Sequence, residues 1–369
     1  MIRTLIRPTG FVDSPFGHDG KLARLAGGLN WFASAELLTV EYGRRLSSEL
    51  VPVEGIEARF DDEMAATWAR LTTARAPLQL GERIIRLDQP QVMGIVNITP
   101  DSFSDGGQYS TPADAADAGS AMAIHGAAIL DVGGESTRPG AKTVWEGDEI
   151  KRVEPVVRVL ASGGAAVSID TRKAAVAEAA LAAGARMIND VSGLTYDDRM
   201  PGVVAAAGVP VVLMHHQGDP TSMQDAPRYD DVLVEIFEWL EDRIECALEA
   251  GIARANILID PGFGFGKSVA HNLILMNGLA LLHGLGCGIV LGASRKRSIG
   301  ALSNEAPPAD RLGGSLAFAL KAAEQGAQLL RVHDVPETVQ ALRVWRGMRD
   351  QALTPRVLRR INCPTAPRL

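Results

Sequence analysis

Cysteine is scarce in this chain of 369 residues: Cys246, Cys287 and Cys363 stand far apart with no C-x-x-C spacing. That excludes a disulfide scaffold and a thiolate zinc site, and leaves structural thiols. No run approaches the roughly 18 consecutive apolar residues of a membrane span. The opening MIRTLIRPTGFVD lacks the apolar core of a secretory signal, so a cytoplasmic protein without membrane attachment is expected. Excess positive charge is missing too. A formal net charge of -7 gives no basic field for a polyanion, which argues against nucleic acid and for a small-molecule partner.

What the chain does have is 46% hydrophobic residues, enough for a large core. From residue 91 onward, short β-rich runs alternate with Ala- and Leu-rich segments of helical period, the pattern of repeated βα units. Eight strands are predicted, at 92–97, 127–132, 166–170, 187–190, 210–215, 256–260, 288–294 and 329–334. Helices are predicted near 112–125, 147–161, 173–183, 197–207, 229–250, 270–284, 309–325 and 336–349. Eight such units in this length fit a (β/α)₈ TIM barrel, with loops after the strands building the site. An open doubly wound sheet is second choice, because polar residues end nearly every strand instead of clustering at one switch point. Residues 1–88 read as a small α+β extension of unassigned role, residues 89–350 as the barrel, and 351–369 as a loosely held tail.

The strand ends supply Asn97, Asp170, Asn189 with Asp190, His215 with His216, Asp260, Ser294-Arg295-Lys296, and Arg331 with His333. A lone carboxylate at a strand end is usually a turn former, but all of these converge on one face if the barrel closes. Asp170, Asn189 and Asp260 suit a flat heterocycle whose edge carries N–H donors and a carbonyl. Arg331 and His333, two residues apart, share a face and with Asn97 could hold a phosphate or diphosphate on the opposite side of the mouth. Asn97 is a neutral oxygen donor, which suits Mg²⁺ shared with phosphate better than zinc, although a turn cap explains it nearly as well. Adjacent residues on a strand point to opposite faces, so His215 and His216 read as structural or pocket-lining. Lys296 is placed within reach of a heterocycle carbonyl, and free N–H groups near Arg297 and Ser298 could hold a carboxylate. PGFGFGKS at 261–268 is neither a Walker A loop, since Pro261 stands where glycine is needed, nor GxGxxG.

Together NITPDSFSDGG, GGESTRPGA, SIDT, INDVSG, DPGFGFGK, GASRKRSIG and RVHD resemble the dihydropteroate synthase family, in family order over residues 91–335. The resemblance implies an enzyme joining p-aminobenzoate to 6-hydroxymethyl-7,8-dihydropterin diphosphate, and a homodimer. It implies pterin contacts from Asp170, Asn189, Asp260 and Lys296, and diphosphate contacts from Thr137, Arg331 and His333. Mg²⁺ would sit on Asn97. Phe103, Pro139 and Arg297 would line the p-aminobenzoate pocket, Asp105, Arg138 and Lys296 would be the catalytic set, and SFSDGG would be a lid hinged at Gly106 and Gly107. In that scheme Arg331 and His333 neutralise the departing diphosphate. Two rivals are a pterin-binding barrel for methyl transfer to a corrinoid and a degenerate barrel kept as a scaffold.

Overall fold

The computed structural model describes residues 2–98, 111–136, 143–218 and 227–353. Strands β1 (Arg3–Val12), β2 (Ala23–Arg24), β3 (Trp31–Glu41) and β4 (Arg44–Pro52) make an antiparallel sheet with β3 at its centre. Tyr42 and Gly43, both at positive φ, form the two-residue turn between β3 and β4, a conformation matched to the twist of a hairpin. Helix α1 (Asp62–Thr72) starts where the Asp61 carboxylate accepts the Met64 N–H at 2.8 Å. Met64, Trp68 and Leu71 of α1 pack on Ile6, Phe32, Leu37 and Val51 of the sheet to make a small core of their own.

Leu5, Leu38 and Val40, from the same strands, join the core of the larger unit instead. The sheet thus buries residues on both faces, one on α1 and one on the barrel. A set of side chains fixes this seam by gripping backbone carbonyls. Arg70 donates to Gly284 O (2.6 Å), Arg75 to His283 O (3.0 Å) and Cys287 O (3.1 Å), and Asn30 to Ala323 O (2.7 Å). From the other side, Arg349 donates to Leu29 O at 2.8 Å.

Strands β7 (Gln91–Asn97), β8 (Ile129–Gly133), β9 (Val167–Asp170), β10 (Met187–Asp190), β11 (Val211–Met214), β12 (Ile257–Asp260), β13 (Gly288–Leu291) and β14 (Leu329–Val332) are parallel. They close in chain order, β14 pairing with β7, so the ring is the predicted barrel and not the open sheet. The outer helices are α2 (Pro112–Ile124), α3 (Glu146–Ser162), α4 (Ala174–Ala183), α5 (Met200–Ala207), α6 (Val232–Glu249), α7 (Val269–Gly278), α8 (Arg297–Leu302), α9 (Leu312–Glu324) and α10 (Val335–Leu353).

Two differences from the sequence reading have local causes. The helix expected over 270–284 changes at Gly278 into a 3₁₀ segment, Leu279–Leu285. A Cβ on Gly278 would lie 2.4 Å from Leu233, and the carbonyls at the end of the 3₁₀ turn are taken by Arg70 and Arg75. The short helix α8 begins at Arg297, where a helix start was read from the SRKR turn, but its six residues are too few to show a period and it stood outside the eight expected helices. Within the extension, the hairpin β5 (Leu78–Leu80) and β6 (Arg83–Ile85) belongs physically to the barrel. Its Leu78, Leu80 and Ile85 close the end where the strands begin, packed on Met93, Ile129, Met187, Val212, Leu258, Val290 and Leu329.

Candidate active site at the barrel mouth

Successive side chains of a strand alternate between the barrel interior and the helix layer. Two residues beyond that apolar floor, the inward positions read Ile95, Asp131, Ser168, Asn189, Met214, Asp260, Gly292 and Arg331. The interior therefore turns from apolar to charged within a single step along the strands. Asp170 lies one further inward step along β9, in register with Gly133 and Asn189.

Arg331 is the hub. Its Nε donates to Asp131 Oδ2 at 2.6 Å and its terminal nitrogen to Asp170 Oδ2 at 2.5 Å, while Asn189 Nδ2 donates to the same Asp131 oxygen at 3.0 Å. Asp131 is fully buried, and its Oδ1, like the Ser168 hydroxyl, has no hydrogen-bond partner among the described residues. Burial disfavours the Arg331 cation, but Asp131 and Asp170 outweigh it and keep the guanidinium charged. Burial also drives the Asp170 carboxyl up, with Arg331 pulling the other way.

Asp260 stands next to this group. Gly292, on the neighbouring strand's line, lies between the two: a Cβ there would meet Arg331 Cβ at 3.8 Å and Asp260 Oδ2 at 3.9 Å. Asp260 Oδ1 accepts the Gly262 N–H at 2.7 Å. Burial raises its pKa to about 6, and the Gly262 N–H, Lys296 and Arg331 oppose that rise. Lys296 sits with Nζ 4.0 Å from the centroid of the Phe265 ring, which offers the ammonium a π-face.

The expected division of the mouth, acids on one side and Arg331 with His333 on the other, does not hold. Arg331 lies among the acids because β14 closes against β7 and its inward side chain reaches β8 and β9 across the narrow interior. His333 follows the end of β14, with Nδ1 3.1 Å from Ser294 Oγ. Burial, with Arg295 and Arg331 beside it, pushes its pKa down to about 3, so at neutral pH it is an uncharged hydrogen-bonding group.

Asn97 ends β7 in register with Gly133 and is half-buried. Arg297 is exposed as the first residue of α8, and Lys296 is that helix's N-cap, with no side-chain capping bond. Phe103, Asp105, Thr137, Arg138 and Pro139, with the lid glycines Gly106 and Gly107, lie outside the described residues. The parity argument explains two further cases. Asp190 and His215 point outward: Asp190 accepts from Ser192 N, Ser192 Oγ and Leu194 N, and His215 packs edge-on against Trp239 at 5.0 Å. Neither side chain faces the mouth.

Asp131 was missed. A single acid inside ILDVG reads as part of a strand, yet it shares parity with Ile129 and Gly133, and that signal was available. A second unforeseen cluster supports the loop after β8. Lys173 pairs with Glu149 at 2.5 Å and with Glu135, Arg172 pairs with Glu135 at 2.7 Å, and Thr171 donates to Glu149 at 2.8 Å. These bonds tie that loop's first turn to the start of α4 and to α3.

Residues 93–333 match the family model described as pterin binding enzyme. The chain is 48% identical over 262 residues to the dihydropteroate synthase of Escherichia coli K12, covering 70% of this chain and 91% of the relative. Among solved structures, Xanthomonas albilineans dihydropteroate synthase with 4-aminobenzoic acid superposes with TM-score 0.71 at 49% identity, covering 76% of this chain and all of that one. The Yersinia pestis enzyme with a sulfonamide drug complex gives 0.72 at 45% identity, covering 74% and 99%.

Proposed function

The chain belongs to the pterin-binding enzymes, and from that membership and its barrel mouth we infer that it is a dihydropteroate synthase of folate biosynthesis. It condenses 6-hydroxymethyl-7,8-dihydropterin diphosphate with p-aminobenzoate, giving 7,8-dihydropteroate and diphosphate. The observation that carries this reading is the inward ring Asp131, Asn189, Asp260 and Arg331 at the C-terminal ends of four strands, with Asp170 one step further. A pterin presents several N–H donors and one carbonyl along a flat edge. Asp260, ionised above about pH 6, and Asp170 accept from such an edge, and the Asn189 amide can do either. Lys296 supplies a donor for the carbonyl.

The chemistry asks little covalent work of the protein. Loss of diphosphate leaves a cation on the exocyclic methylene that the electron-rich ring delocalises, and the neutral arylamine then attacks the methylene and gives up a proton. The chain's residues orient the two reactants and exclude water. Arg331 is a positive charge fixed at the centre of the mouth by its acids, and His333 offers a neutral N–H. We place Mg²⁺ at Asn97. One amide oxygen with no cluster of three metal-binding side chains among the described residues fits an ion held mainly by water and phosphate oxygens, not a protein cage. Bound there, it would neutralise the leaving diphosphate. Phe103, Asp105, Thr137, Arg138 and Pro139 keep the roles the resemblance gives them as part of this proposal.

No helix among the described residues is long and apolar enough to cross a membrane. We propose a cytoplasmic enzyme acting on small molecules and not on nucleic acid, and a homodimer, which sedimentation of the purified chain tests. The decisive assay mixes protein, pterin diphosphate, p-aminobenzoate and Mg²⁺ and follows diphosphate together with dihydropteroate. Equal yields of both are expected, and diphosphate without coupling would make the protein a hydrolase. Sulfonamides are expected to compete with p-aminobenzoate, and turnover unchanged at saturating drug would contradict the assigned pocket.

A further inference from the structure

The loop 261–267 holds three glycines and a lysine that no phosphate-binding motif explains. Lys267 is only 3% exposed, and its ammonium turns back into its own loop. It donates to Gly262 O at 3.0 Å and Phe265 O at 2.9 Å, and faces His215 Nδ1 at 2.9 Å. Three N–H groups meet three acceptors, so the loop is wound around the ion. For Nδ1 to accept, the His215 ring is neutral with its proton on Nε2, and burial next to Lys267 holds its pKa well below the usual value. Burial pulls the Lys267 pKa down to about 7, against Asp260.

The winding is tight. Gly262 has φ +67, and a Cβ there would lie 1.8 Å from His215 O, so no other residue fits. Tyr229 OH, donating to Gly266 O at 2.9 Å, fastens the far side. Two products of this shape face the site: the Gly262 N–H on Asp260 Oδ1, and the Phe265 ring beneath Lys296. The hydrogen bonds of Lys267 go to the loop and to His215, one step behind the groups that meet Asp260 and Lys296.

We propose that Lys267, with His215 as its third acceptor, is a positioning residue that sets Asp260 and Lys296 for the pterin and does not act on p-aminobenzoate. The proposal rests on the pterin reading of the mouth. It is tested by calorimetric titration of the whole protein with the unreactive alcohol 6-hydroxymethyl-7,8-dihydropterin, in parallel with turnover. A wild type that binds the alcohol without turning over would refute the synthase assignment while leaving this test intact; a wild type that does not bind it overturns both.

Lys267→Met is expected to weaken the alcohol, and to raise KM for the pterin diphosphate, by about tenfold, with KM for p-aminobenzoate within about twofold of wild type. His215→Leu, which removes one acceptor, should give the same pattern more weakly. His215→Asn, which restores an oxygen acceptor, should return most of the affinity. If Lys267→Met does not fold, as judged by thermal unfolding, the His215 pair decides. Unchanged pterin affinity in His215→Leu, a loss shared equally by both substrates, or no recovery in His215→Asn overturns the proposal.

Discussion

The two ends of the barrel use the same eight strands for opposite purposes. At the end where the strands begin, Met93, Ile129, Val212 and Leu258 meet the hairpin residues Leu78, Leu80 and Ile85 in a buried apolar plug. Two residues on, at positions of identical parity, Asp131, Asn189 and Asp260 are buried nearly as completely, and Arg331 is half-buried among them. The floor is held by area removed from water. The mouth is held by charge pairing that balances desolvation, so burial stabilises one end and strains the other.

The sharpest way to break this comparison is Asp260→Ala. Loss of its carboxylate should lower kcat/KM by about a thousandfold through lost pterin binding, because a site built around hydrogen bonds is left with unmatched groups. Stability should not fall by a comparable amount; a large loss of Tm would mean that Asp260 is structural. Arg331→Met is expected to do both kinds of damage. It leaves Asp131 and Asp170 buried without their partner, so about 3–5 kcal/mol should be lost in denaturant unfolding at neutral pH, and unchanged stability would contradict the hub role.

At the floor, Leu80→Ala should destabilise by about 2–5 kcal/mol, with KM for both substrates unchanged. A shift in either KM would show that the two ends are coupled. The finest contrast is Asp260→Asn. The folded pKa of Asp260 is raised from 3.8 to about 6, so the folded state holds the proton more tightly than the unfolded chain. Stability therefore falls as pH rises from about 4 to about 6 and stays lower above that. Removing the charge should stabilise the protein by about 3 kcal/mol above pH 6 and by little below pH 4. Urea midpoints across that range check it. Pterin affinity of the wild type should weaken as pH drops below about 6.

The barrel was legible because each strand is a short apolar run closed by a polar residue, and the repeat occurs eight times. Strand ends were read too long in three places. PVVLMH, GIVLGAS and LLRVHD stop at Met214, Leu291 and Val332, because pairing ends where the loops turn away, and the sequence carries no mark of that point. This matters for His333, read as sharing a strand face with Arg331 and found beyond the strand beside Ser294. Asp170, Asn189 and Asp260 were identifiable by position, whereas Asp131 was hidden inside its run. The placement of Arg331 among acids depends on the width of the closed ring, which no local pattern encodes. In the extension, α1 was visible in the period of DDEMAATWARLTT. Its sheet was not, since β1 and β3 carry buried residues for two different partners and so lose clean alternation, while β4 buries Val51 alone.

Arg70, Arg75 and Asn30 bind the extension to oxygens of the main chain at Gly284, His283, Cys287 and Ala323. Every residue type supplies a carbonyl, so side chains on the barrel's half of the seam can drift without erasing a single one of these anchors. The barrel's own letters count elsewhere along the seam, where Arg349 grips Leu29 O and where Glu241, Asp230 and Asp231 pair with Arg3, Arg44 and Arg45.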